Sequence, residues 1–139
     1  MLTDDSTTVR NLKNLVLAFS QERDWEQFHS PKDLGIALVC EVGELVEHFR
    51  YRKDDEIQAR LEDPSQKGRI ADELADCLWV ILRLADVTQI DLAEALEAKV
   101  SAAAVKYPID KAFGRSDKYT AYLPQTESPE RSGEGSIGA

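Results

Sequence analysis

The sequence predicts an all-α protein, a four-helix bundle, on three observations. Apolar residues recur at three- and four-residue spacing over long stretches, recognisable helix-start signals open two of them, and alternating strand patterns are nearly absent. The 139 residues suit a single domain over 1–124, followed by a tail over 125–139. At 42% hydrophobic the chain can bury a core without disulfide or metal staples.

Leu12, Leu15, Val16 and Phe19 repeat at helical spacing and predict a first helix over about 8–22. An aromatic-rich loop over 23–30 follows, carrying Trp25, Phe28 and His29. Ser30, Pro31 and Asp33 then form a helix start, with a hydroxyl cap, a proline at the first helical position and an acid in the first turn. That helix runs to about residue 52, with Leu34, Leu38, Leu45 and Phe49 among its apolar positions. A charged connection over 53–67 holds a short helix near 55–61 and a break at Asp63-Pro64. A long helix over about 68–87 contains Leu74, Leu78, Ile81 and Leu84. Asp91 with Glu94 reads as a capping box for a last helix that ends near Lys106, ahead of Pro108. Beyond about residue 125 the chain is rich in Ser, Gly, Glu and Pro with few apolar residues, the composition of a disordered tail.

With 26 acidic against 17 basic residues the formal net charge is -9, which argues against binding long nucleic acid, since that needs a basic patch. A small anionic ligand stays possible, because a bound cation inverts the local charge. The N-terminal residues are polar rather than of signal-peptide type, and no apolar run reaches the ~18 residues of a membrane span. Cys40 and Cys77 each fall inside an apolar helical pattern and read as reduced, buried thiols. A cytoplasmic location follows from these points.

The informative feature is a pair of acidic motifs inside apolar helices, Glu41-Val42-Gly43-Glu44 and Glu73-Leu74-Ala75-Asp76, about 30 residues apart. Acids three residues apart share one helix face. If the two helices pack antiparallel, four carboxylates converge. Their mutual repulsion and burial are relieved by a hard divalent cation such as Mg²⁺, which prefers oxygen ligands and shares its site with phosphates. Solvated faces paired to neighbouring Lys and Arg would explain the same residues, and spacing alone does not choose between the two. A di-iron carboxylate centre is excluded more firmly. It needs Glu-x-x-His on two helices, and the second acidic helix has no histidine.

Together, Glu41-x-x-Glu44 and Glu73-x-x-Asp76 resemble the paired acidic motif of the MazG-like all-α nucleoside triphosphate pyrophosphohydrolases. Asp24-Trp25-Glu26-Gln27-Phe28-His29, with Lys106-Tyr107-Pro108 and Lys118-Tyr119-Thr120, resembles the dCTP pyrophosphatase branch, and the likeness spans about residues 10–124. It implies an oligomeric four-helix MazG-like bundle, a homodimer or homotetramer, that hydrolyses a deoxynucleoside triphosphate to monophosphate and pyrophosphate. Carried over, Glu41, Glu44, Glu73 and Asp76 are Mg²⁺ ligands, with Glu41 or Glu44 positioning or deprotonating the attacking water. Glu47, one turn on, is an outer acid. Trp25 and Tyr51 match pocket aromatics, Trp25 stacking on the base or else anchoring the core. His29 contacts base or phosphate or packs the loop. Lys99 and Lys106, seven residues apart, suit a triphosphate clamp beside Tyr107.

Three positions depart from that pattern. Val80 stands where relatives place a tyrosine, Ala103 where they place an asparagine, and Val16 where vertebrate relatives carry a histidine. Val80 and Val16 leave base selectivity open between dCTP or a modified dCTP, and dUTP or a broader set, whereas Ala103 weakens the phosphate clamp. A helical oligomerisation module without chemistry remains the alternative to an enzyme.

Overall fold

A computed structural model describes residues 1–122, so the expected tail lies outside the described residues. Every regular element among them is helical: α1 (Val9–Gln21), α2 (Pro31–Glu47), α3 (Asp54–Glu62), α4 (Pro64–Val87), α5 (Leu92–Lys106) and α6 (Ile109–Ala112). Two 3₁₀ turns, Trp25–Phe28 and Tyr119–Tyr122, complete the set. The all-α expectation holds, and the four long helices are those the periodicity located. The chain divides into two compact units, Met1–Ala95 and a second that begins at Leu96.

Local chemistry sets the helix ends. Thr8 and Asn11 cap α1 reciprocally, each side chain accepting the other's backbone N–H. The Ser30 hydroxyl accepts the Asp33 N–H at 3.1 Å, with Pro31 at the first position of α2. Helix α2 stops at Glu47, short of the expected 52, because its last turns tighten to three-residue bonds, as from Arg52 N–H to Phe49 O. Tyr51 then takes φ +59°, a left-handed conformation in which no right-handed helix continues. At Asp63-Pro64 the expected break is instead a start. The Asp63 carboxylate accepts the Ser65 N–H at 2.8 Å and Pro64 opens α4, which therefore begins four residues earlier than the periodicity placed it. Asp91 likewise accepts from Ala93 and Glu94 at the head of α5.

In the first unit α4 is the hub: α1, α2 and α3 all pack on it. Its buried positions are Ile70, Cys77, Val80, Leu82 and Ala85, and Val16 of α1 and Leu34 of α2 close the core around them. Two cations are also buried. Lys13 of α1 donates to the Ile90 carbonyl at 3.3 Å, and Arg83 of α4 is 1% exposed. Cysteine burial was half right. Cys77 is buried, but Cys40 is exposed, because it lies on α2 among Ile36, Val39 and Val42, all of which face away from the core. No helix of the described residues is long and apolar enough to cross a membrane.

Candidate metal and nucleotide site

Helices α2 and α4 run antiparallel where the acids meet. Glu41 lies beside Asp76 and Glu73, while His48, two turns further along α2, reaches back only to Glu73. One carboxylate oxygen from each of Glu41, Glu73 and Asp76 lies within 4.8 Å of the other two. Burial first, and then the charges of Asp76, Glu44 and Glu73, push the Glu41 carboxyl above its ordinary range. The same acids, after burial, raise the neighbouring Cys77 thiol. No lysine or arginine pairs with Glu41, Glu44, Glu73 or Asp76 among the described residues. Acids of this kind do not form a salt-bridged helix face. They suit a hard cation, which a small oxygen-lined site holds together with water and phosphate.

Glu44 stands outside that trio. With Glu47 it lines a cleft of about 450 Å³ bordered by Glu73, His48, Gln66 and the arginines Arg52, Arg60 and Arg69. Glu47 itself pairs with Arg50 at 2.7 Å.

The aromatic loop is built by two devices. Asp24 adopts φ +52°, which turns the chain out of α1 into the 3₁₀ turn. The Trp25 ring then stands edge-on to Phe19 at 5.7 Å, and Phe19 stands edge-on to Trp79 of α4 at 4.8 Å. Trp25 remains 44% exposed, so it is anchored on one edge and open on the other. Tyr51 is 93% exposed beneath the Arg50 guanidinium. His29 is held from below: Arg83 Nε donates to its Nδ1 at 3.3 Å. Burial and the Arg83 charge lower the His29 pKa, against a weaker opposing pull from Glu26. Arg83 also meets Asp86 at 2.8 Å and Glu26 at 3.7 Å, tying the loop to α4. Sequence reasoning missed Arg83. The only signal was a lone cation in an otherwise apolar stretch of α4.

In the second unit Lys99, Ala103, Lys106 and Tyr107 line one cleft of about 290 Å³ with Ala102 and Tyr119. The Lys106 ammonium lies 5.4 Å from the Tyr119 ring, and Tyr107 is edge-on to both Tyr119 and Tyr122. The heptad spacing of the two lysines thus places them on one surface with the small Ala103 between them. Of the other departures, Val16 and Val80 are both buried.

A profile of the MazG-like family matches residues 36–121, which takes in both acidic motifs and the two lysines. The chain belongs to the MazG-like family. This MazG-like chain is 36% identical over 128 residues to dCTP pyrophosphatase 1 of Bos taurus, covering 92% of its own length and 75% of that protein. It is 38% identical over 113 residues to dCTP pyrophosphatase 1 of Homo sapiens, covering 81% of its own length and 66% of that protein. A crystal structure of a pyrophosphatase from Archaeoglobus fulgidus superposes with a TM-score of 0.68 at 33% identity, over 78% of this chain and 99% of the other. The family expected from the acidic motifs, and the branch expected from the Trp25–His29 run, are both borne out.

Proposed function

We propose that this nucleoside triphosphate pyrophosphohydrolase takes dCTP, or a modified dCTP, to the monophosphate and pyrophosphate with Mg²⁺ as cofactor. The observation that carries the reading is the meeting of Glu41, Glu73 and Asp76 on two packed helices, with no lysine or arginine paired to them among the described residues. The relatives named dCTP pyrophosphatase 1 support the substrate, and leave no place for a helical module without chemistry. Glu41, Glu73 and Asp76 would hold the metal, with Glu44 one turn along as a fourth acid. When bound, the cation would supply charge neutralisation at the phosphates and acidity to a water. Glu41 or Glu44 would orient the attacking water and accept a proton at its carboxylate. Trp25 and Tyr51 offer aromatic surface to the base, His29 a polar contact, and Lys99, Lys106 and Tyr107 a surface for the triphosphate. Residues 1–124 act as the catalytic domain, with 125–139 outside it. Two free cysteines fit the reducing cytoplasm.

A broader nucleotide set is the second reading, and one observation favours it. Val80, at the position where the family resemblance places a tyrosine, is buried and apolar, so it offers no hydrogen bond to a base. The deciding experiment is a Mg²⁺-dependent pyrophosphate-release assay with dCTP, 5-methyl-dCTP, dUTP and dTTP side by side. A kcat/KM for dCTP well above the others supports the first reading. Equal values support the second, and no release from any of them sinks both.

We also propose a homodimer or homotetramer. Val39 is 72% exposed, and with Ile36, Val42 and Val46 it forms an outward apolar stripe on α2, while Leu74, Leu78 and Ile81 form another on α4. Contiguous apolar surface of this kind marks an interface. Light scattering is expected to give two or four times the 15.6 kDa chain mass. A monomer at micromolar concentration would remove this part of the proposal.

A further inference from the structure

We infer that His48, oriented by Arg60, is a positioning residue that presents an N–H to the Glu73 carboxylate and so tunes its hold on the divalent cation. The inference rests on the reading of Glu73 as a metal ligand. Arg60 Nη2 lies 3.3 Å from His48 Nδ1. An arginine only donates, so Nδ1 must be the acceptor, and the ring's single proton is on Nε2. That nitrogen is the one facing Glu73, 3.9 Å from its Oε1. At that distance the contact is electrostatic rather than a formed hydrogen bond, and it lies in a largely desolvated place: the His48 side chain is 10% exposed and Glu73 21%. The contact with His48 is the one hydrogen bond the Arg60 side chain makes among the described residues, and its Nε is buried without a partner.

This relay gives α3 a purpose that packing alone does not explain. The short helix brings Arg60 to the far side of His48, and α2 brings His48 to Glu73, so the ligand's orientation is set by three consecutive helices. Outer partners of metal ligands act in this way in general, and their loss costs roughly 10–100-fold in metal affinity. His48 and Arg60 escape sequence reading because a histidine three residues after a leucine, and an arginine on a charged helix, carry no motif.

The test is calorimetric titration of the full chain with Mn²⁺ alone, beside thermal unfolding of each variant. His48→Leu fills the same half-buried space without a donor and is expected to weaken Mn²⁺ binding tenfold or more. Glutamine can place an amide N–H near the position of imidazole Nε2, so His48→Gln is expected to stay within about threefold of wild type. Arg60→Met frees the ring and is expected to weaken binding severalfold, even though it also takes a positive charge from the cleft shared with Glu44 and Glu73, and it gives a reading where His48→Leu unfolds. Equal affinities in His48→Leu, Arg60→Met and wild type overturn the inference. So do equal losses in the leucine and glutamine variants, which would mean that shape rather than the donor matters. Glu73→Gln separates the two levels of the argument. If it abolishes binding while His48→Leu does not, only the positioning role falls. If it binds as wild type, the metal centre itself is misassigned.

Discussion

Glu41→Gln and Asp76→Asn are each expected to lower kcat/KM by about three orders of magnitude or more, roughly 4 kcal/mol of transition-state stabilisation. Both changes keep side-chain shape and remove one negative charge from a cluster whose oxygens lie within 4.8 Å. Far-UV circular dichroism should be unchanged, which separates lost chemistry from lost fold. The same substitutions carry an opposite expectation for stability without metal. Glu41 has its carboxyl held above the ordinary range by burial and by Asp76, Glu44 and Glu73, so the folded chain binds its proton more tightly than the unfolded chain does. Ionisation therefore costs stability: the deficit opens as pH rises through the ordinary carboxylate range and is complete above the raised folded value. Metal-free Glu41→Gln should accordingly melt above wild type near pH 7, with the gap closing as pH falls below that range. Adding Mg²⁺ should raise the wild-type Tm and leave the variant behind. Near wild-type turnover in either variant would mean that the acids are not the centre.

Trp25→Ala is expected to raise KM for dCTP by about tenfold or more, with a smaller change in kcat. Stacking of a base on an aromatic ring is worth about 1–3 kcal/mol and tolerates base identity, whereas the chemical step depends on the acids. The ring is suited to the role by being pinned on one edge by Phe19 and open over 44% of its surface. Because stacking is indifferent to the base, the penalty should be similar across dCTP, 5-methyl-dCTP, dUTP and dTTP in steady-state kinetics. A KM unchanged for every nucleotide would make Trp25 a packing residue and remove it from the base site.

Much of this was legible in the sequence, for reasons that differ by element. The long helices announce themselves because α1, α2 and α4 need an apolar stripe, and Ser30-Pro31 is a start signal with a steric cause. Glu41, Glu44, Glu73 and Asp76 could be grouped in advance only on the condition of antiparallel packing and against an equal reading as solvated faces, and it is the packing of α2 on α4 that leaves Glu44 outside the trio. Asp63-Pro64 was misleading, since proline both breaks a helix and begins one, and only the capped N–H groups of Ser65 and Gln66 show which. Exposure on α2 could not be foreseen either: Cys40, Val39 and Leu34 look alike as letters, yet only Leu34 faces α4's core. Least legible were Arg83, His48 and Arg60, whose roles consist of partners 12 to 54 positions away along the chain.

Helix α4 has a geometric consequence beyond its place in the core. It carries Asp76 at the acidic cluster and, seven residues on, Arg83, which fastens the turn bearing Trp25 through Glu26 and His29. At about 1.5 Å of rise per residue the two anchor points are roughly 10 Å apart along one rigid rod, on nearly the same side of it. The helix is thus a ruler between the acidic cluster and the turn that bears Trp25. Substitutions between the marks leave its length alone. A single inserted or deleted residue shifts one mark by about 1.5 Å and swings it by about 100°, so a change of length between Asp76 and Arg83 would break a spacing that a change of side chain leaves intact.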